Sequence, residues 1–349
     1  MVFVFGLTGW LSQKLSRQPE SMHLINLCLT GWRRRKKERE LMSLSIGTVG
    51  GMRFDGISDR WKGIASGIAE NARRAKQILG ENIVGAAPGG TRFTMRMFVG
   101  AGVRKLDLKE IRALWGDATV RMEAFIPVGA KDVGGIAYFG GCTSLREGFD
   151  ASAAKKEVAL LRKVGRKRTS NHAQVPEGFR VELLDPKHIQ DCDIEDLVAM
   201  YLASYTQYIT AFTCDSVRAM CEENMVAVAR NGNGNVVAVS QGEVAEIPFA
   251  GIRLVEISET ATNPAYRSMG LTTHCKLALI AQLRSPETLI YAESRANWGG
   301  VIRQNLLLGM GVSGWLDRHC VIAAESTDVP QAGKYGDLFV FNLPMNHSV

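Results

Sequence analysis

What most limits the fold of this chain is the switching of its apolar spacing between strand and helix periods along residues 176–343. "FRVELL" (179–184) reads as a strand. "IEDLVAMYLASYTQYI" (194–209) is a helix with Ile194, Leu197, Val198, Tyr201 and Tyr205 on one stripe. "DSVRAMCEEN" (215–224) is a second helix, with Asp215 as its expected N-cap. "MVAVAR" is a strand, Asn231-Gly232-Asn233-Gly234 a tight connection, and "NVVAVSQGEVAEI" (235–247) the next strand. The chain turns at 248–251 and returns as "IRLVEISETAT" (252–262). A helix from Leu271, the strand "TLIYAES" (288–294), the helix "GGVIRQNLLLG" (299–309) and strands near Gly314–Ala323 and Tyr335–Leu343 complete the order. About 170 residues of this kind suit one domain.

Upstream the pattern is less regular. Within 46–150, "WKGIASGIAENARRAKQIL" (61–79) reads as a helix, because Ile64, Ile68 and Ala75 fall near helical spacing. "TRFTMRMFV" (91–99) and "TVRMEAFI" (119–126) alternate as strands do, and Leu108 to Trp115 suits a short helix. This is a small α/β domain with no catalytic constellation. Residues 151–175 read as a basic helix followed by a polar linker, and residues 1–45 as a basic, disordered extension. The expected class is therefore α/β of the α+β kind: a mixed, largely antiparallel sheet flanked by helices at 176–349, beside a smaller N-terminal α/β domain.

Charge argues against a nucleic-acid partner. The formal charge is +7, but residues 1–42 carry +5 and residues 155–168 carry +6, which leaves the rest of the chain at −4. Basicity confined to two short segments is not a binding face. The seven cysteines include no CxxC or CxxH spacing, so neither a disulfide framework nor a zinc site is expected, and a reducing cytoplasm fits. The six histidines are scattered and suggest no metal. No uncharged apolar run approaches the ~18 residues of a membrane span. The run Arg33-Arg34-Arg35-Lys36-Lys37 follows the apolar stretches it would precede in a signal peptide.

The stretch "ATNPAYRSMGLTTHC" (261–275) carries the most chemistry. Asn263-Pro264 ends a strand, since Pro supplies no ladder N–H. Gly270 lets the backbone approach a ligand closely. The helix from Leu271 starts with unpaired N–H groups and the positive end of its dipole, which suit a pyrophosphate, and Arg267 adds a permanent charge. Many ordinary turns share Arg-x-x-Gly; the place between a strand and a helix gives it weight. His274 and Cys275, adjacent on the helix, diverge in direction and make a poor nucleophile pair. The expectation is a surface or cap histidine and a small buried cysteine.

With these residues in view, the region from about 176 to 349 resembles the GNAT superfamily of acetyl-CoA-dependent N-acetyltransferases. Their signature Arg/Gln-x-x-Gly-x-Gly/Ala is matched by Arg267-Ser268-Met269-Gly270-Leu271-Thr272, with Thr272 departing at the last position. "Ala-Thr-x-Pro-x-Tyr-Arg" (261–267), "Glu-Ala-Phe-Ile-Pro" (123–127), the Glu243 strand and "Ser-Arg-Ala" (294–296) before Leu308-Gly309 are similar to the β-lysine N-acetyltransferase branch.

The resemblance implies a GNAT-type sheet whose fourth strand splays from the fifth. The pantetheine arm of acetyl-CoA would lie in the gap against Ser258, Thr260, Ala261 and Thr262, with Thr288–Ser294 as the other wall. Backbone N–H groups of Ser268, Met269, Gly270, Leu271 and Thr272 would hold the pyrophosphate beside Arg267. Asn297 or Asn305 would replace a cofactor-contacting helical Asn, with core and cap roles as the ordinary alternative. The Tyr that many members use to protonate the departing thiolate has no counterpart in "VIRQNLLLGM". Tyr291 reads as core.

Transfer to an amine needs a proton acceptor, because a lysine-like amine is mostly protonated near neutrality. If the 248–251 turn centres near Phe249-Ala250, Glu243 lies opposite Glu256. Like charges so placed are unfavourable, and one carboxylate would have a raised pKa. Glu256 and Glu243 are the candidate bases; Glu259, on the opposite face by alternation, is the reserve. The ordinary alternative is a solvent-facing glutamate or one paired with Arg253. The expected activity is N-acetylation of a primary amine of a small molecule, such as a β-lysine-like diamino acid, in the cytoplasm, without a metal, by a chain that could act as a homodimer. The alternatives are a non-catalytic acyl-CoA-binding scaffold and an enzyme acting on a protein amine.

Overall fold

The computed structural model describes residues 48–49, 51–55, 60–71, 73–75, 77–78, 92–101, 119–130, 133–142, 151–166, 174–205, 208, 211–321 and 335–345. The extension at 1–45, the helix expected at 108–115 and most of the linker after 166 lie outside them. The strands of the first half are β1 (Thr48–Val49), β2 (Gly51–Asp55), β3 (Arg60–Ala69), β4 (Arg92–Gly100), β5 (Thr119–Ala130) and β6 (Val133–Cys142). The second half runs α1 (Ala151–Gly165), β7 (Arg180–Leu183), α2 (Asp191–Ser204), α3 (Cys214–Glu223), β8 (Met225–Arg230), β9 (Val236–Ile247) and β10 (Ile252–Thr262). It ends with α4 (Leu271–Leu283), β11 (Thr288–Arg295), α5 (Gly299–Leu307), β12 (Gly311–Cys320) and β13 (Gly336–Asn342).

Among the described residues these strands form a single sheet, in the order β1-β3-β4-β6-β5-β12-β13-β11-β10-β9-β8-β7, with β2 also on β3. Pairing is parallel for β1/β3, β3/β4 and β10/β11. The remaining pairs are antiparallel, so the expected mixed, largely antiparallel sheet flanked by helices is what forms. Apolar side chains of α4 and α5, including Leu271, Leu279, Ile280 and Ile302, cover Val255, Ile257, Ile290 and Phe341 of the sheet. A second cluster joins Ile64, Phe98 and Ile126 from the first half to Ile252, Leu254, Leu289 and Val340 from the second.

The stretch at 61–79 is corrected: its first part is strand β3, not helix, and helix appears only after Asn71. The i, i+4 pair Ile64 and Ile68 satisfies a strand period as well as a helical one, while Gly63 and Gly67 disfavour a helix. Pairing with β2 and β4 decides between them. The N-cap of α3 is Thr213, not Asp215. The Thr213 side chain accepts from the Ser216 N–H at 3.1 Å, and Ser216 Oγ accepts from the Thr213 N–H at 2.8 Å, a reciprocal cap that leaves Asp215 inside the first turn. The strand expected near Gly314–Ala323 begins earlier, at Gly311.

The two halves of the sheet meet where Gly314 of β12 pairs with Ala124 of β5. A Cβ on Gly314 would stand 2.2 Å from the Ala124 Cβ and 2.4 Å from the Glu123 carbonyl oxygen. Backbone cannot yield there as a flexible side chain can. Gly314→Ala is expected to destabilise the protein by about 1–3 kcal/mol, read as a lowered midpoint in urea unfolding. An unchanged midpoint would show that the seam is looser than it is drawn.

Candidate active site

β10 and β11 are paired only from Arg253↔Thr288 to Glu256↔Tyr291. β10 continues to Thr262 and β11 to Arg295, so the two strands part after Glu256. On its other edge β10 stays with β9 through a bulge: Ser258 faces Gln241, Ala261 faces Val239, and Glu259 and Thr260 together oppose Ser240. Glu259 takes φ 35°, unusual for a residue with a side chain. The bulge turns β10 away from β11. The gap opens into a cavity of about 770 Å³ that reaches from Arg267 and Gly270 to Lys62, Glu256 and Glu293.

At one end of this cavity lies the start of α4. Ser268 (φ 68°) and Gly270 (φ 77°) are both left-handed, and no side chain caps the helix. Successive N–H groups in such a bend form an anion-binding concavity at the positive end of a helix dipole. Arg267 is exposed beside it. Thr272, the departure from the signature, has a clear occupation: its Oγ1 accepts from Gln304 Nε2 of α5 at 2.6 Å. The hydroxyl ties the first turn of α4 to the helix across the cavity.

At the other end four buried carboxylates converge, of which Glu256, Glu259 and Glu293 line the cavity and Glu243 does not. Glu256 and Glu243 lie opposite each other, as the turn position implied. Tyr291 donates to Glu256 Oε2 at 2.8 Å, and Arg96 Nη1 stands 3.8 Å from the same oxygen. Burial raises Glu256 to about 7; Lys62 and Arg96 oppose that rise and Glu293 adds to it. Burial also pushes Glu243 well above the carboxylate range, helped by the charges of Glu259 and Glu256, while Ser258 donates to its Oε1 at 2.6 Å. Burial would raise Glu293 too, but Lys62 Nζ at 3.2 Å and His319 Nε2 at 3.5 Å hold it well below.

Glu259 is not on the opposite face from Glu243. The bulge breaks the alternation and sets the two carboxylates against each other, with Tyr208 donating to Glu259 Oε1 at 2.8 Å. Arg253 pairs with Glu246 at 2.7 Å and leaves Glu256 to the interior.

Of the other residues singled out by sequence, Ser258, Thr260, Thr262, Arg267, Ser268, Gly270, Leu271, Thr272 and Asn297 line the cavity. Ala261, which is buried, and Met269, at 36% exposed, do not line it. Asn305 is fully buried, between Lys276 and Ser294. His274 is corrected from surface to interior, at 7% exposed, because the start of α4 is buried all round, from Leu271 to Lys276; Cys275 is buried as expected.

Sequence reasoning missed Lys62, Arg96, Glu293 and Lys276; Tyr291 is buried, as its core reading implied, and the bond to Glu256 is what that reading lacked. Lys62 and Arg96 come from strands more than 150 residues away, which no local pattern connects to Glu256. Lys276 left a signal: one lysine in an otherwise uncharged run, "LTTHCKLALIAQL".

Compared with protein-family models and with curated proteins, the chain matches none. Solved structures are similar to about half of the chain. An N-acetyltransferase of Staphylococcus aureus Mu50 is 12% identical, over 48% of this chain and 99% of that one, with a TM-score of 0.37. The ribosomal-protein-S18-alanine N-acetyltransferase of Escherichia coli is 15% identical, over 49% and 96%, at 0.37. A ribosomal-protein-alanine N-acetyltransferase of Brucella melitensis is 18% identical, over 47% and 99%, at 0.37.

The Lys62–Glu293 pair is testable as electrostatics. Lys62→Met strands a buried carboxylate and is expected to cost about 3–5 kcal/mol at neutral pH; adding Glu293→Gln should recover most of that. Glu293 is depressed in the folded state. Its stabilisation is present above the unfolded value of about 4.3 and is lost as pH falls through the folded value, so the single variant's deficit should shrink in acid. Unfolding midpoints across pH measure this, and a pH-independent deficit would rule out the pair as its source.

Proposed function

We propose that the protein is an acetyl-CoA-dependent N-acetyltransferase of the GNAT type, acting on a primary amine of a small molecule. One observation carries the reading: the parted strands β10 and β11 join a helix start that no side chain caps to a buried carboxylate that burial raises to about 7. A thioester carried on a long arm with a diphosphate at its far end fits a gap of that shape. The N–H groups of 268–272 and Arg267 take the diphosphate, as at other helix N-termini. The arm borrows the β10 backbone groups that β11 no longer pairs. The thioester then lies at the Glu256 end, where the acceptor nitrogen attacks the carbonyl carbon and Glu256 takes the proton, directly or through water.

A small acceptor is favoured because the carboxylate end is enclosed. Lys62 and Arg96, from β3 and β4, and Glu256 are all at most 5% exposed. Carboxylates and a lysine at one end of the cavity suit a molecule bearing both charges, and a β-lysine-like diamino acid is one such acceptor. A protein's amine would have to enter as an extended side chain or terminus. Among the described residues no helix is long and apolar enough to cross a membrane; a cytoplasmic setting is part of the reading, because acetyl-CoA is met there.

Incubation with acetyl-CoA and a panel of small diamines and amino acids, followed by thiol release and mass spectrometry, tests the reading. Binding of acetyl-CoA without thiol release would favour a scaffold instead. For the active pair, Glu256→Gln is expected to lower kcat by about 10²–10⁴-fold while acetyl-CoA affinity stays within a few-fold, and higher pH should restore part of the rate. Wild-type kcat/KM should rise with pH through about 7 as Glu256 loses its proton. Arg267→Ala should weaken acetyl-CoA binding, and unchanged affinity would remove the phosphate role from that residue.

A further inference from the structure

Lys276 is an anomaly that the proposed function leaves unused. It sits on α4 six residues past Gly270, so about 1.7 turns and about 9 Å along the helix from its start. It is 1% exposed and lines the same cavity. Its Nζ donates to Asn305 Oδ1 of α5 at 2.9 Å, and Asn305 Nδ2 donates to Ser294 Oγ of β11 at 2.9 Å. Asn305 is itself fully buried, and Ser294 stands on β11 beyond the last pair with β10. Three elements thus hold one ammonium group at the wall of the gap, with neutral partners. A buried lysine is ordinarily paired with a carboxylate, because an uncompensated charge is expensive to bury.

Seven other charged side chains line the cavity, Lys62 among them. Glu256, Glu259 and Glu293 are at the closed end, and Arg267, Arg295 and Arg303 line the rest. None of them contributes to the lowering of Lys276 to about 7, whose cause is burial.

Acetyl transfer leaves a thiolate that must be protonated, and few groups along the cavity can do it. Guanidinium groups do not give up protons near neutrality. The Tyr205 hydroxyl donates to the Thr260 carbonyl at 2.8 Å, and burial raises it to about 12. The Tyr208 hydroxyl donates to Glu259, and burial raises it well above its ordinary value. Lys62 is held by Glu293. The tyrosine that the resemblance leads one to expect on α5 is absent, and Asn305 of that helix holds Lys276 instead.

We propose that the Lys276 ammonium protonates the departing coenzyme A thiolate, with Asn305 and Ser294 as the positioning residues. This rests on the acetyltransferase reading. As the acceptor nitrogen bonds to the carbonyl carbon, the carbon–sulfur bond breaks and its electron pair passes to sulfur. Lys276 gives sulfur a proton and becomes a neutral amine. The proton shed by the nitrogen goes to the Glu256 end and on to water, and water reprotonates Lys276 as the thiol leaves. An ammonium ordinarily too weak an acid for the task becomes a competent donor when buried without a counter-charge.

The test needs no acceptor. Coenzyme A and acetyl-CoA are each titrated into wild type, Lys276→Met and Lys276→Arg, and the bound thiol is titrated by the ultraviolet absorbance of its thiolate. In wild type the thiolate fraction of bound coenzyme A near pH 7 should exceed that of the free thiol by about tenfold. Lys276→Met should abolish that excess with acetyl-CoA affinity nearly unchanged, and Lys276→Arg, which keeps the charge, should retain it. A wild-type thiol that titrates as it does in water, with coenzyme A bound, overturns the role of Lys276 alone and needs no variant. The same excess in wild type and Lys276→Met also overturns it. Failure of wild type to bind either ligand overturns the acetyltransferase reading and this inference together.

Discussion

The structure depends on where one parallel ladder stops. β10 and β11 share four register positions and then separate, while β10 keeps its antiparallel partner on the other side through a bulge. A strand that leaves one neighbour exposes a row of N–H and C=O groups, and buried groups of that kind must find partners. Side chains at the end of α2 and just past it answer part of the demand: Tyr205 donates to the Thr260 carbonyl, and Ser204, at 3.5 Å, to the Thr262 carbonyl. The rest faces a cavity. The left-handed Ser268 and Glu259 mark the two places where the backbone there is bent furthest from ordinary geometry.

The second constraint is electrostatic. The face of β4 that carries Arg92, Thr94 and Arg96 is buried against polar groups of the sheet: Glu123 and Cys142 meet Arg92, Tyr291 and Glu256 meet Arg96, and His319 meets Thr94. Such an interior costs desolvation that apolar packing would avoid, so it is weak evidence for stability and better evidence for a task. Its effect is to set neighbouring carboxylates to different protonation states. Glu293 is held ionised by Lys62 and His319, whereas Glu256 is left near neutrality. Environments that push paired carboxylates apart are how one site can both hold a cation and accept a proton.

Much of the second half was legible in the sequence, because its strand and helix spacings alternate and are punctuated by Asn-Gly, Pro and Gly. The Glu243–Glu256 register followed from the length of one turn. The bulge did not: nothing in "ISETAT" announces that Glu259 departs from alternation, since the departure is settled by how β10 meets β9 and α2. The helix expected at 61–79 failed for a local reason, an even spacing that both periods accept, and a global one, two waiting strands. The parts of the site supplied by β3 and β4 were invisible because Lys62 and Arg96 reach Glu293 and Glu256 through tertiary structure alone. Lys276 could have been noticed as a charge in an apolar helix, though its partners could not.

Amide hydrogen exchange with and without acetyl-CoA tests the central claim most directly. The account predicts slowed exchange in two separate segments, 257–262 on β10 and 268–272 at the start of α4, with little change on the outer strands β7 and β8. Binding that leaves both segments exchanging as before would contradict it, because the ligand would then lie somewhere other than between the parted strands.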